Sequence, residues 1–229
     1  MTNILNNILS SFFPKTCIGC SEKLMHQETH VCTKCFHKLP FTNFHEHQQN
    51  PAYNTFYGRI ILENATALLH YKKKGIVQQL LHHLKYKGQE EIGTFLGTLL
   101  GNQLKDIPSY KNISYVIPVP LHKKRLRARG YNQVAKFAQQ LALHLEATYT
   151  DTVLQKTTHT KTQAFKNRTD RWLTIQNSFE VTDYEILKNQ HILLVDDVIT
   201  TGATLEACSN ALQKTPNIKI SIATMSIAS

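Results

Sequence analysis

One stretch, HILLVDDVITTGATL at residues 191–205, constrains the fold more than any other. It begins with four aliphatic side chains in succession, Ile192, Leu193, Leu194 and Val195. The run is too short for an ordinary helix and too unbroken for a strand with one wet face, so it reads as a central parallel strand buried on both sides. Two consecutive carboxylates follow, Asp196 and Asp197. They fall at the carboxyl end of the strand, where such sheets open their ligand crevice and where burying two unpaired charges would be costly. After Val198 and Ile199 comes a compact turn of Thr200, Thr201, Gly202, Ala203 and Thr204. Its glycine permits unusual dihedrals, and its hydroxyls and free amides lead into a helix predicted over 203–213. Such a turn suits a phosphate. Acids for sugar hydroxyls beside amides and hydroxyls for a phosphate point to one ligand with both groups, a phosphorylated ribose.

From Ile192 through Thr204 the stretch resembles the phosphoribosyl pyrophosphate (PRPP) motif of type I phosphoribosyltransferases. The resemblance implies an α/β fold in which Asp196 and Asp197 hold the ribose 2- and 3-hydroxyls. It implies also that the turn from Thr200 to Thr204 holds the 5-phosphate. A strand, an acidic turn and a capped helix without a ligand is the plain alternative, but helix caps do not call for two consecutive acids.

Four of the five cysteines lie within nineteen residues, as Cys17 and Cys20, then Cys32 and Cys35. Two CxxC knuckles each present a pair of thiolates, which together close a tetrahedral Zn2+ site. A segment this small has little core of its own and depends on the metal to fold. Two disulfides are the alternative, disfavoured without a secretory signal. His26, His30 and His37 are candidate substitute ligands, unneeded while four thiols are at hand. Cys208, on the helix after the phosphate turn, reads as a small core residue.

The 229 residues suit one α/β domain with a small appendage, divided as an amphipathic helix and cysteine module at 1–40, a linker at 41–57 and the main domain at 58–229. Residues 3–13 carry Ile4, Leu5, Ile8, Leu9 and Phe12 at helical spacing. Strands are predicted at 65–71, 113–118 and 218–227, and helices at 76–88, 90–104 and 134–145. No stretch reaches the roughly 18 apolar residues of a membrane span, and a cytoplasmic location is expected.

Lys and Arg total 26 against 16 Asp and Glu, a formal charge of +10. The excess favours an anionic partner, nucleic acid or a phosphorylated metabolite. It is concentrated. No acid lies between Glu63 and Glu90, where Lys72, Lys73 and Lys74 stand together, and none from Ile107 through Leu145. The second gap holds the loop HKKRLRARGYNQ, in which Lys123, Lys124 and Arg125, with help from Lys72, Lys73 and Lys74, are expected to face single-stranded DNA, with Tyr71, Tyr86 and Tyr131 as stacking faces. Arg127 and Arg129 are expected to face a pyrophosphate, which guanidinium forks bind bidentately. The Thr-rich, cationic piece 153–179 has the composition of the mobile flap that the phosphoribosyltransferase resemblance places there.

The cysteine knuckles, the IPVPLHKKRLRARGYNQ segment, Thr162, Gln163 and Arg168, and the LLVDDVITTGAT stretch together resemble the competence protein F family, also called ComF or GntX-like proteins. That resemblance covers nearly the whole chain. It implies a bacterial protein of DNA uptake and natural transformation, with a zinc finger on a phosphoribosyltransferase domain, associated with single-stranded DNA and a partner helicase. Three readings follow: a DNA-handling protein that binds PRPP or a related ribose 5-phosphate, an active Mg2+-dependent transferase of phosphoribosyl to a nitrogen acceptor, and a PRPP sensor without catalysis.

Overall fold

The computed structural model describes residues 15–157 and 178–228. In chain order the elements are α1 (Thr33–Phe36), α2 (Pro51–Asn54), β1 (Asn64–Tyr71), α3 (Ile76–Tyr86), α4 (Glu91–Leu104), β2 (Tyr115–Pro118), α5 (Lys123–Arg129), α6 (Ala135–His144), β3 (Thr148–Tyr149), β4 (Leu154–Lys156), β5 (Phe179–Val181), β6 (His191–Ile199), α7 (Ala203–Leu212) and β7 (Lys219–Ala228). Five strands form one sheet in the order β1, β7, β6, β2, β3, and every neighbouring pair is parallel. The expected α/β architecture, a parallel sheet flanked by helices with a cysteine cluster before it, is what the chain adopts.

The aliphatic run explains why β6 sits inside. Ile192, Leu193, Leu194 and Val195 are all buried, and alternation along the strand sends them to opposite faces. Leu193 and Val195 join a core with Leu80 and Leu84 of α3, Leu96 of α4 and Phe137 of α6. Ile192 and Leu194 join a second core with Leu205, Cys208 and Leu212 of α7 and with the antiparallel ribbon of β4 and β5. On the first face α4 and α6 approach closely: a Cβ at Gly97 would lie 2.8 Å from the Phe137 carbonyl oxygen.

The strand continues past the aliphatic run. β7 stays paired with β6 as far as Ile199 and Ile227, so both acids lie within β6 and not after it. On its other side β2 stops at Pro118, opposite Val195. From Asp196 onward β6 therefore has a neighbour on one side only, and a crevice opens beside it. β7 reads as an alternating strand but is buried on both faces, Ala223 and Met225 in the first core and Ile220, Ile222 and Ile227 in the second. Its hydroxyls find local partners, Ser221 with His191 Nε2 at 2.8 Å and Thr224 donating to the Ser226 carbonyl at 3.0 Å.

The basic stretch expected as a loop is a helix. Lys, Arg, Leu and Ala are all good helix formers. His122 Nδ1 accepts from the Lys124 amide at 3.2 Å, capping the start of α5, and Gly130 ends it at φ +85°.

The cysteine module is docked on α3 and α4. Cys17, Val31, Cys32, Cys35 and Leu39 share the first core, Phe36 meets Phe95 with ring centroids 6.3 Å apart, and a Cβ on Gly19 would sit 2.6 Å from Ile76 Cδ1. Residues 41–57 run along the outer side of β1, where the Thr42 amide donates to the Leu68 carbonyl at 3.1 Å. Asn50 caps α2 and donates to the Ala65 carbonyl at 2.8 Å. An otherwise open sheet edge is thereby covered. Among the described residues no helix is long and apolar enough to cross a membrane. The helix expected at 3–13 and most of the 153–179 segment, with Thr162, Gln163 and Arg168, lie outside the described residues.

Candidate phosphoribosyl and metal sites

The crevice at the carboxyl edge of the sheet is a cavity of about 860 Å³ lined by both acids, by Thr200 and Thr204, and by side chains of α3 and α5. Because Asp196 and Asp197 are consecutive in a strand, they point to opposite faces. Asp197 lies on the α3 side, where Lys85 Nζ is 3.0 Å away and Gln133 Nε2 donates at 2.7 Å. Gln133 in turn accepts from the Arg129 guanidinium. Asp196 lies on the α7 side, and its Oδ1 accepts the Asp197 amide at 2.8 Å. Burial, and next the charge of Asp197, push Asp196 up to about 8, against the pull of that amide and of Lys85 and Lys156. Burial likewise lowers Lys156, whose Nζ lies 4.9 Å from the Phe179 ring centroid. Cys208 is fully buried beneath them, as expected of a core thiol.

A folded pKa raised above the unfolded value of roughly 3.9 gives a contribution fully present below about pH 4 and lost as pH rises through about 8. Asp196→Asn removes this titration. The melting temperature of the variant should therefore pull ahead of the parent's on going from about pH 5.5 to about pH 8.5, by several degrees at roughly 2–4 °C per kcal/mol for a chain of this size. Melting curves that stay parallel across that range would refute the desolvation of Asp196.

The turn before α7 is held from beneath. Gly202 has φ +74°, and a Cβ there would come 2.7 Å from Phe56 Cε1. Arg59 Nη1 donates to the Thr201 carbonyl at 2.8 Å and to the Thr55 carbonyl at 2.9 Å, and its other nitrogen pairs with Glu206 in the first turn of α7. Thr200 and Thr204 line the cavity, and Thr201, Gly202 and Ala203 do not. The first amides of α7 have no preceding helical carbonyl to bond, the usual condition for receiving an anion. Phe56 and Arg59 carry no sequence signal, since each is linked to the site only through space; Gln133 closes the HKKRLRARGYNQ stretch, and only its contact with Asp197 is hidden from the sequence.

The cations sort by helical geometry. Residues four apart on α5 are neighbours, and Arg125 and Arg129 line the cavity with Lys124. Arg127, two residues from each, falls on the other side of the helix with Lys123 and does not line it. The structure thus brings Arg129 together with Arg125 and not with Arg127. Lys72, Lys73 and Lys74 are exposed in the turn after β1, at the same sheet edge. Of the three tyrosines, Tyr71 lines the cavity, Tyr131 donates its hydroxyl to the Leu84 carbonyl, and Tyr86 is 68% exposed.

The four sulfurs of Cys17, Cys20, Cys32 and Cys35 all lie within 4.8 Å of one another. The Cys20 and Cys32 sulfurs are 3.6 Å apart, close to the roughly 3.8 Å edge of a tetrahedron with 2.3 Å metal–sulfur bonds. Burial opposes ionisation of Cys17, but amides led by that of Cys32, which donates to its sulfur at 3.2 Å, bring it down to about 7. The residues fit a tetrahedral thiolate-bound metal. None of His26, His30 and His37 belongs to the cluster; His30 packs against Phe95 instead, at 5.7 Å between centroids.

A parallel sheet with an acid pair and a hydroxyl-rich turn at its carboxyl edge defines a phosphoribosyltransferase-type domain, and residues 134–225 match the phosphoribosyl transferase domain family. The chain is 33% identical over 142 residues to competence protein F of Haemophilus influenzae, covering 59% of this chain and 61% of that one. It is 30% identical over 145 residues to the DNA utilization protein YhgH of Escherichia coli O157:H7, covering 58% and 59%. Over 198 residues it is 25% identical to competence protein ComFC of Bacillus subtilis, covering 86% and 78%. It is a homologue of these competence and DNA utilization proteins, spanning 61% and 59% of the length of the first two.

Proposed function

We propose that this chain is a cytoplasmic ComF-like protein of DNA uptake and natural transformation that binds single-stranded DNA and a phosphoribosyl ligand of the PRPP type. One observation carries the reading: an acid pair, a phosphate turn and two arginines converge on one cavity at the sheet's carboxyl edge. Asp196 and Asp197 would hold the ribose hydroxyls, the Thr200 to Thr204 turn the 5-phosphate, and Arg129 with Arg125 the pyrophosphate. Mg2+ fits this set, because that ion commonly takes one or two carboxylates and completes its shell with substrate phosphates and water. It would neutralise pyrophosphate charge. Zn2+ at the four cysteines is structural, holding a segment too small to fold alone. A competence helicase is the protein partner that the family resemblance suggests.

DNA would run over the acid-free rim formed by Lys72, Lys73 and Lys74 and by Lys123, Lys124 and Arg125. Binding of this kind releases counterions, so affinity should fall with salt by a log-log slope of about 0.7 per phosphate neutralised. In an anisotropy titration, reversing Lys123, Lys124 and Arg125 to Glu should lower both affinity and slope. Unchanged binding at low and moderate salt alike would remove α5 from the DNA surface.

The size of the cavity supports a second reading, active phosphoribosyl transfer. At about 860 Å³ it has room for an acceptor beside the sugar phosphate. PRPP consumption measured across the common bases, with and without single-stranded DNA, tests it, and no turnover in any combination would leave ligand binding alone.

A further inference from the structure

Beside the main cavity lies a second, of about 430 Å³, lined by Lys85, Tyr86, Gly88, Arg125, Ala128, Arg129 and Tyr131. Every charged side chain on its wall is a cation. Four of those residues, Lys85, Tyr86, Arg125 and Arg129, line the main cavity too. Tyr86 is unusual for its position. The apolar face of α3 is Val77, Leu80, Leu81 and Leu84, and Tyr86, the last residue of the helix, lies off that face and is 68% exposed. Its company is polar: the Arg129 guanidinium lies 5.5 Å from the ring centroid, and the His82 ring 5.1 Å away.

A solvent-facing aromatic ring backed by a guanidinium, in a recess with cations and no carboxylate, has the chemistry of a base-stacking step beside a phosphate seat. The two arginines serve both recesses, and a guanidinium fork turned to a phosphate in one cannot hold a pyrophosphate in the other. We propose that the second cavity seats one nucleotide of single-stranded DNA, its base on Tyr86 and its phosphate on Arg125 and Arg129, so that the strand and an anionic phosphoribosyl ligand oppose each other's binding. This rests on the DNA-binding reading above and adds to it a contact point and an antagonism.

The test uses the full chain and a single strand of roughly 12 nucleotides carrying 2-aminopurine, whose fluorescence is quenched by stacking. Tyr86→Ala should weaken strand binding by about 5- to 150-fold and abolish the quench, with the salt slope unchanged because no phosphate contact is lost. Tyr86→Phe, which keeps the ring, should bind and quench like the parent. Inorganic pyrophosphate with Mg2+ should raise the apparent Kd of the strand about 10-fold or more by occupying the shared arginines. If the parent binds the strand but Tyr86→Ala binds it equally well, or saturating pyrophosphate leaves strand affinity unchanged, the site or the antagonism is wrong while DNA binding stands. A parent that binds no strand at all overturns both.

Discussion

Asp196→Asn combined with Asp197→Asn should weaken binding of a Mg2+-loaded phosphoribosyl ligand about 100-fold or more while leaving the fold intact. Asp197, and Asp196 once the ligand's cation has drawn off its proton, would each supply a charge-assisted hydrogen bond of about 1.5–3 kcal/mol to a ribose hydroxyl or to that cation, and two such losses exceed two orders of magnitude. The fold has little reason to respond. Packing of β6 comes from Ile192, Leu193, Leu194 and Val195, and Asn matches Asp in shape. Removing the ionisable group at 196 relieves a burial cost, as its raised pKa indicates. Lys85 loses its partner at 197, but its side chain is 23% exposed and the cavity can hydrate it. A double variant that binds as tightly as the parent in calorimetry would strip these carboxylates of their assigned role.

Cys32→Ser should cost the metal and lower the melting temperature by about 5–15 °C, at roughly 2–4 °C per kcal/mol. Structural zinc contributes around 10 kcal/mol or more to small modules, but here only the part coupled to the main body appears in its melting. That coupling is visible: Val31 and Leu39 share a core with α3 and α4, and Ile76 packs against Gly19. Undocking would return this apolar surface to water, at about 1.5–3 kcal/mol for each large side chain. Hydrogen exchange should accordingly quicken in α3 as well as in the module, while β6 and β7 stay protected. Metal analysis should give about one zinc per chain for the parent and none for the variant. A parent prepared without chelator that carries no zinc would contradict this, as would a variant that melts like the parent.

The parts of the fold legible in the sequence were those written in contiguous residues. Unbroken hydrophobicity marks β6 as central, and helical spacing of Val77, Leu80, Leu81 and Leu84 marks α3. The cysteine spacing puts four thiols in one place, and they are found together. Three things escaped. The length of β6 depends on how far β7 runs beside it, which no local pattern records. The state of the basic stretch turned on a weak signal, the helix propensity of KKRLRAR against a composition that reads as solvated loop, and with it went the sorting of Arg125 from Arg127. The supports of the turn, Arg59 and Phe56, join residues up to 147 positions apart. Such contacts are set by topology alone.

Whether the cavity at the carboxyl edge of β6 takes a phosphoribosyl ligand is tested most directly by a calorimetric titration of the full chain with PRPP, with and without Mg2+. Saturable binding at about one ligand per chain is expected, tightened by Mg2+, which the carboxylate pair would help to hold and which would offset the charge of the ligand's phosphates. Heat no greater than dilution at all ligand concentrations, with Mg2+ present and the protein folded, would contradict it.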